Sequence, residues 1–281
     1  MSKVNFLRDS LSGEKGNRLN VPHETIKRNI RSNIRRPVPQ VTRYPGDPKT
    51  KVMLLCGGPS MEEMLPEIKR RKRQGWKVAA VNGAYNWALD NGIQPGCHIV
   101  LDARPWNVRF LDRTSKDCRY LIASQCDPSL FDALEGHDVH IWHGSGAEER
   151  PILERYYKGR YVTVGGGPTV GMCGIHLLYT LGWRWVAVYG LDSCIKPDRH
   201  HAYTQPENDA ECVNVLRVGR RKFVAHPWMS VQADQLLQML PSIPDDLQMQ
   251  FRGDNMITYI VEYTAKHGRP PNITIVKEGT L

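Results

Sequence analysis

The segment 165–203 restricts the fold of this chain more than any other stretch. It begins with a glycine loop at 165–171 and continues into an apolar helical pattern. Gly171 and Gly174 are three residues apart, so together they clear one face of that helix for close packing. Trp185–Tyr189 then has the continuous apolar character of a strand buried on both faces. Such strands are typical of a parallel sheet.

A polar loop follows this strand. Asp192 stands at the strand's end, and His200, His201 and Tyr203 lie a few residues further on. In open α/β sheets, ligands bind beyond the carboxyl ends of the strands. Histidine titrates near neutral pH and suits proton transfer, and a tyrosine hydroxyl can donate to a developing oxyanion or a phosphate. We therefore predict that these four residues are catalytic.

A second glycine turn follows the apolar strand Val52–Cys56. Ser60 and Glu63 have the spacing of a capping box, which predicts that a helix begins here. A strand, a tight glycine turn and a helix N-terminus present backbone N–H groups to an anion. The alternative is a structural turn that binds nothing. The predicted phosphate-binding residues of this turn are Gly57, Gly58, Pro59 and Ser60.

Strand and helix patterns alternate along the chain between residues 77 and 142. This spacing indicates a mostly parallel α/β sheet with helices on both faces. The carboxyl ends of parallel strands meet at one edge, so the polar residues that follow them are expected to converge there. The other predicted nucleotide-binding residues of this edge are Asn82, Gly83, Asp102, Gly165, Gly166, Gly167 and Thr169.

The first 49 residues differ in composition from the rest. The formal charge is +9, and residues 1–50 hold eleven Lys/Arg against four Asp/Glu, so 11 − 4 = +7 lies there and +2 elsewhere. We expect a basic extended arm with one short helix near 23–34 and few apolar contacts. The arm either wraps its own protein or a partner subunit, giving a homo-oligomer, or contacts nucleic acid through phosphates. The scarcity of aromatic residues favours the first interpretation.

The predicted organisation has three parts, and no internal sequence repeat is found after residue 50. They are the arm at 1–49, a nucleotide-binding catalytic core at 50–210, and an α/β extension at 211–281 that packs on the core. In the extension, a hairpin is expected around Val218–Arg221, and it is followed by a helix, a strand, a helix and a last strand.

The sequence argues against a secreted disulfide-bonded protein, a membrane-spanning protein and a histidine metal site. Seven cysteines without a C-x-x-C pair indicate reduced thiols and a cytoplasmic protein. The N-terminus lacks the apolar core of a signal peptide. The longest apolar stretch, 171–191, is interrupted by His176 and Arg184, which predicts a buried helix and strand rather than a membrane span. Three histidines at intervals of three, at 137, 140 and 143, do not share one face of a strand and so are not expected to bind a metal.

The order of these motifs resembles the 6-hydroxymethylpterin diphosphokinase-like family. The matching motifs are Leu54-Leu-Cys-Gly-Gly-Pro-Ser60, Val81-Asn82, Asp102, the glycine loop at 165–171, and Tyr189-Gly-Leu-Asp192 followed by His-Ala-Tyr. That family includes archaeal pterin pyrophosphokinases and a domain of motility-associated glycosyltransferases. The motif order is also similar to that of Rossmann-type bacterial sialyltransferases. The resemblance covers about residues 50–210 and implies a Rossmann-like fold.

The resemblance implies roles for single residues. Gly57, Gly58 and Ser60 would hold phosphate, and Asn82 would touch the ribose or base. The two aspartates at 102 and 192 would bind a metal or sugar hydroxyls. This chain departs from the family by having Gly-Leu-Asp where members show Gly-Gln-Asp or Gly-Ile-Asp, which keeps the acid. It also has Gly-Gly-Pro168 in place of Gly-Gly-Ser/Asn, which removes a side-chain donor and leaves the group bound there open.

The implied function is a transferase that uses a nucleotide-activated donor. The resemblance favours the diphosphokinase version, in which ATP gives its pyrophosphoryl group to a hydroxymethyl, pterin-like acceptor, with Mg²⁺ arriving on the nucleotide. In the glycosyltransferase version, the donor is a nucleotide sugar and His200 or His201 activates the acceptor hydroxyl. A third hypothesis is a non-enzymatic scaffold of an assembly, because a fold does not prove activity. The His/Tyr loop favours an enzyme.

Overall fold

The structure is a computed structural model of the 281-residue chain, and it describes residues 21–167, 169–205, 212–271 and 273–275. Its strands are β1 (Asp47–Leu55), β2 (Lys77–Val81), β3 (Cys97–Val100), β4 (Arg119–Ala123), β5 (Asp138–Gly144), β6 (Thr163–Val164), β7 (Trp183–Tyr189), β8 (Asn214–Val218), β9 (Arg221–Ala225), β10 (Gln248–Arg252) and β11 (Ile273–Ile275). Its α-helices are α1 (His23–Asn33), α2 (Met61–Arg73), α3 (Ala84–Asp90), α4 (Pro128–Asp132), α5 (Arg150–Tyr157), α6 (Val170–Thr180), α7 (Pro227–Met239) and α8 (Met256–His267). Two 3₁₀ helices, Pro105–Leu111 and Leu240–Ser242, complete the described elements.

Eight of these strands form one sheet in the order β10-β7-β1-β2-β3-β4-β5-β6, and all of its pairings are parallel. The predicted Rossmann-like α/β fold is therefore confirmed. The chain adds strands on one side of β1 as far as β6 and then crosses to the other side with β7. In open sheets the ligand crevice opens where the strand order reverses. Here that point lies at the carboxyl ends of β1, β2 and β7.

Helix α6 lies directly on the centre of the sheet because its two glycines remove side chains from the contact. A Cβ atom on Gly174 would be 3.2 Å from the Leu54 side chain of β1, and one on Gly171 would be 3.0 Å from Cys56 Sγ. The buried carboxyl half of β1, including Met53 and Leu54 at 0% exposed, supplies the other side of this contact. The predicted packing role of the two glycines is thus confirmed, and it brings the start of α6 to the carboxyl edge.

The N-terminal segment is attached to the core over its described part. The short helix predicted near 23–34 is α1, and its residues Ile26 and Ile30 are buried together with Ile34 and Val41. Asn33 Nδ2 donates to the Cys126 carbonyl at 2.7 Å, beyond the end of β4. The expectation of few apolar contacts does not hold for residues 21–49, because the isoleucines repeat every four residues and form one apolar helix face. The boundaries at 49/50 and 210/211 stay a prediction.

The C-terminal part both extends the main sheet and adds a second one. Strand β10 pairs with β7, whereas β11, β8 and β9 form an antiparallel sheet that contains the predicted hairpin. Glu67 of α2 fixes β10 in place, since it accepts hydrogen bonds from Tyr189 and Arg252. Sequence patterns did not predict α5, β6 or the 3₁₀ helix Pro105–Leu111, which are short and lack periodicity.

Among the described helices, none has the length and apolar character needed to cross a bilayer. All seven cysteines are free thiols.

Candidate functional site

The glycine turn after β1 is closed by the carboxylate of Asp192. The Ser60 backbone N–H donates to Asp192 Oδ2 at 2.7 Å, and the Ser60 hydroxyl donates to Oδ1 at 2.6 Å. Gly58 N donates to the carbonyl of Gly190 at 2.8 Å, which holds the turn beside the end of β7. The carboxylate therefore lies at the N-terminal end of α2, where the sequence predicted a bound phosphate.

This contact corrects the capping-box prediction at Ser60. Helix α2 begins at Met61 as expected, but Ser60 makes no side-chain capping bond because its hydroxyl binds Asp192. A Cβ atom on Gly58 would lie 2.4 Å from Asp192 Cγ and 2.7 Å from the Gly190 carbonyl oxygen. The glycine at 58 thus admits the protein's own carboxylate, and a larger residue there would disturb the fold of the turn.

Burial dominates the chemistry of Asp192. Only 4% of the residue is exposed, and the loss of hydration raises its pKa to about 6, against the lowering effect of the hydrogen bonds from Ser60 and Asn255. Asn255 Nδ2 lies 3.3 Å from Ser60 Oγ, so the C-terminal part of the chain contributes to this cluster. Asp192 is consequently a partly protonated, internally bonded group near neutral pH.

The loop that follows β7 folds back over the glycines at the ends of β1 and β2. A Cβ atom on Gly57 would lie 2.8 Å from both His201 Cδ2 and the Tyr203 hydroxyl. One on Gly83 would lie 2.4 Å from Cε2 of the Tyr203 ring. Ala202 N donates to the Gly57 carbonyl at 2.9 Å. Residues predicted from three separate segments therefore meet at one place, and the two glycines make room for the Tyr203 ring.

The histidines of this loop form a pair. The Nδ1 atoms of His200 and His201 are 2.7 Å apart, so one ring donates its proton to the other. The ring centroids of His201 and Tyr203 are 5.5 Å apart, and that of His226 is 6.1 Å from His200. A cavity of about 390 Å³ opens beside the pair, lined by residues 198–205. This is within the size range of small-ligand pockets.

Two ion pairs hold the loop to the first turn of α2. Arg199 pairs with Glu62, and Lys196 pairs with Glu63. Two glutamates in the first turn of a helix would repel a bound phosphate, but here each of them is paired with a cation. Their side chains are exposed by a third to a half, so the pairs stabilise the loop only weakly.

Asn82 has an unusual backbone and an unsatisfied side chain. Its φ of 43° lies in the left-handed region, which Asn adopts more readily than most residues. Its Oδ1 atom is buried and has no hydrogen-bond partner among the residues that the structure describes. It directly precedes Gly83 and the Tyr203 contact. Asn82 thus presents an acceptor at the carboxyl end of β2.

Asp102 lies one strand further along the sheet and faces an arginine. Arg104 Nε donates to both of its oxygens, at 3.0 and 2.9 Å. Asp102 and Asp192 are the two predicted metal ligands, and each of their carboxylate oxygens accepts a hydrogen bond from a protein group. In the described part of the chain, no group of three or more His, Cys, Asp or Glu side chains is arranged to hold a metal ion. As arranged, these residues do not fit a resident Mg²⁺ ion.

The glycine loop before α6 is fixed from both sides. Gly166 and Gly167 have φ values of 125° and 92°, where a side chain would be strained. Thr169 caps α6, and its hydroxyl accepts from Gln232 Nε2 at 2.9 Å. The Oε1 atom of the same glutamine accepts from Ser193 at 2.9 Å. Gln232 therefore links the glycine loop to the residue that follows Asp192, while Pro168 lies outside the described residues.

Four residues of this region were not predicted from the sequence. Gln232, His226 and Asn255 come from the C-terminal part, which lies outside the recognised motifs. Glu149 is buried at the end of β5, where Gly146 N donates to it at 2.6 Å, and burial raises its pKa. The only local signal for Glu149 was the glycine pair Gly144 and Gly146, which leaves space for its carboxylate.

The fold and the site together define an α/β protein of the Rossmann type with a polar site at the switch point of a parallel sheet. The chain matches the model of the 6-hydroxymethylpterin diphosphokinase MptE-like family over residues 24–198. It belongs to that family, as the motif order suggested. A family named for a diphosphokinase supports the class of transferase, and the reaction itself is a separate question.

A solved structure gives the same fold, and two others match at a lower score. A motility-associated (MAf) glycosyltransferase from Magnetospirillum magneticum AMB-1 is 18% identical with a TM-score of 0.62, covering 89% of this chain and 42% of the other. This chain thus spans less than half of that protein. A mammalian sialyltransferase is 11% identical with a TM-score of 0.40, and the match covers 90% of this chain and 86% of the other. A mammalian sialyltransferase in complex with Gal-β-1-3GalNAc-ortho-nitrophenol is 12% identical with the same TM-score, and that match covers 89% of this chain and 84% of the other. No curated protein matches the sequence.

Proposed function

We propose that this chain is a glycosyltransferase-type enzyme that transfers a sugar from a nucleotide-activated donor. The observation that carries the proposal is the meeting of His201 and Tyr203 with Gly57 and Gly83 at the switch point. The two glycines let His201 and Tyr203 pack against the ends of β1 and β2, and the cavity beside this cluster offers space for a ligand.

In this proposal His201 is the general base. For its Nε2 atom to accept a proton from the acceptor hydroxyl, its Nδ1–H must donate to His200 Nδ1, and the 2.7 Å separation of these atoms suits that bond. His200 then orients the ring and stabilises the imidazolium that forms. Tyr203, whose hydroxyl lies toward Gly57, donates to a phosphate oxygen of the leaving nucleotide. Asn82 Oδ1 accepts from the ribose or base.

The diphosphokinase reaction, which the sequence placed first, is here the second candidate, and family membership favours it. In that version a pterin-like hydroxymethyl acceptor receives the pyrophosphoryl group of ATP, and Mg²⁺ would supply neutralisation of the phosphates. The internal bonds of Asp102 and Asp192 make them poor ligands as arranged, which is why we place this reaction second. The cytoplasmic location stays part of the proposal, as does a homo-oligomer formed through the N-terminal segment.

Donor binding and metal dependence separate the two candidates. Thermal unfolding with ATP, CMP- and UDP-activated sugars is measured with Mg²⁺ and with excess EDTA, since a ligand that binds only the native state raises its stability. We expect a sugar nucleotide to stabilise the chain equally in both conditions, and His201→Ala to lower turnover about 10²–10⁴-fold with little loss of donor affinity. Stabilisation by ATP alone, lost in EDTA, would instead support the diphosphokinase. A chain that binds none of these donors would point to the scaffold hypothesis.

A further inference from the structure

A second concave surface lies at the edge of the sheet opposite the candidate site. Lys51 pairs in register with Trp185, and Val52 pairs with Lys77, so the amino-terminal halves of β7, β1 and β2 adjoin there. A groove of about 350 Å³ opens at this edge. We call it the amino-edge groove, and its lining includes Lys49, Lys51, Gln74, Trp76, Lys77 and Trp183.

The amino-edge groove is strongly basic. Helix α2 ends beside it with the run Lys69-Arg-Arg-Lys-Arg73, and basic residues in a last helical turn have an ordinary role in balancing the helix dipole. That role does not account for Lys49, Lys51 and Lys77, which belong to strands. In the described part of the chain, no carboxylate lies within ion-pair distance of these three exposed lysines. These three lysines therefore form no ion pair with a described carboxylate, and the neighbouring Asp47 accepts from the Lys49 backbone N–H at 2.8 Å instead.

The electrostatics of Lys72 support this view of the groove. Its pKa is lowered first by partial burial and then by the charge of Lys77. Its ammonium group donates to the carbonyl of Gln94 at 3.3 Å rather than to an acid. Two cations thus repel each other at the end of α2, and a bound anion would relieve the repulsion.

Aromatic rings stand among these cations. Lys51 Nζ lies 5.7 Å from the ring centroid of Trp76 and 5.4 Å from that of Trp185, and Arg71 Cζ lies 4.7 Å from Trp76. Cation–π attraction of this kind fixes both partners. No cation of the described residues lies over the ring of Trp183, which lines the same groove and is partly exposed. The groove thus combines ordered positive charges with a partly exposed tryptophan side chain.

We propose that the amino-edge groove binds single-stranded nucleic acid. Proteins bind single strands by pairing basic grooves with phosphates and by stacking bases on aromatic side chains, and the lysines and Trp183 supply these two elements. The volume suits one or two nucleotides rather than a folded partner. A membrane surface is flat and would not place a planar ring inside a groove. An acidic polysaccharide would satisfy the lysines but has no base to stack, so it is the comparison in the test.

The charge prediction uses fluorescence anisotropy of a labelled dT12 oligonucleotide with the full chain. Lys49→Glu/Lys77→Glu is compared with Lys266→Glu/Arg269→Glu, which changes the net charge equally on exposed residues at the end of α8. We expect the first pair to lose at least tenfold in affinity, and its salt slope to fall by about 2 × 0.7 = 1.4 for two lost phosphate contacts. The control pair should lose less than threefold. Equal losses in both pairs would mean that only net charge matters and would overturn the proposal.

The aromatic prediction uses Trp183. Trp183→Ala should weaken dT12 binding about tenfold, and Trp183→Phe should restore it to within threefold, because a phenyl ring still stacks. Heparin affinity should be the same in all three proteins. Parallel losses for heparin and dT12, or unchanged dT12 binding, would refute the assignment to nucleic acid. Thermal melting reports the folding of each variant, and donor binding at the opposite edge should stay intact, so this test and that of the proposed function fail independently.

Discussion

The buried carboxylate of Asp192 is expected to make the chain less stable as the pH rises from 4 to 6. Burial raises the pKa of this group from 3.8 in an unperturbed aspartate to about 6. Between these two values the folded state binds more protons than the unfolded state, so the free energy of unfolding decreases with increasing pH. The interval, 6 − 3.8 = 2.2 pH units, corresponds to about 3 kcal/mol at 1.36 kcal/mol per unit. The contribution is complete only well below pH 3.8, and it is lost above about pH 7.

Asp192→Asn removes this pH dependence and keeps the geometry. Its Oδ1 atom can accept from Ser60 N, and its Nδ2 atom can donate to Ser60 Oγ, which replaces both bonds of the carboxylate. Urea unfolding of both proteins at intervals between pH 4 and 8 gives the difference between their free energies of unfolding. We expect the wild type to gain about 2.4 kcal/mol relative to the variant on going from pH 7 to pH 4, because the unfolded-state carboxyl is itself partly protonated at pH 4.

The comparison isolates Asp192 from other buried acids. Glu149, whose pKa is also raised by burial, is present in both proteins and so cancels in the difference. Ser60→Ala gives a further check, because it removes a donor that lowers the pKa of Asp192 and should move the transition to higher pH. A constant difference between wild type and Asp192→Asn across the range would show that the carboxylate is not a buried titrating group.

Two other substitutions test the site and the N-terminal segment. Gly83→Ala places a methyl group 2.4 Å from the Tyr203 ring, so turnover should fall at least tenfold, whereas the melting temperature should change little because the Tyr203 side chain can shift. Gly96→Ala is the matched control, since its methyl group would be 3.8 Å from the nearest neighbouring atom. Equal turnover in the two variants would remove Tyr203 from the site. Ile30→Ala should lower the free energy of unfolding by about 3 kcal/mol in urea titrations, because removing a fully buried isoleucine leaves a cavity. The control, Arg31→Ala on an exposed residue, should lower it by less than about 0.5 kcal/mol. Near-equal losses would show that α1 contributes little to the core.

The sequence alone determined the class of fold and the edge at which the site lies. Strands such as Val52–Cys56 and Trp185–Tyr189 are apolar on both faces, and this local property requires a sheet covered on both sides. Alternation with helices makes the strands parallel, and parallel strands carry their following residues to one edge. For the same reason, the sequence predicts that Gly57, Gly83 and Tyr203 lie at the same edge of the sheet.

The tertiary structure alone decided which groups bind one another at that edge. Asp192 and Ser60 are 132 positions apart, and they meet because β7 was inserted beside β1. Periodicity reports whether a residue is buried, but it carries no information on strand order, so the sequence predicted a phosphate where a carboxylate lies. Gln232 reaches the site in the same way, through a helix that follows the motifs. The docking of α1 is a further case: the sequence predicts a short helix with few apolar contacts there, and only the tertiary structure shows that Ile26, Ile30 and Ile34 are buried in the core.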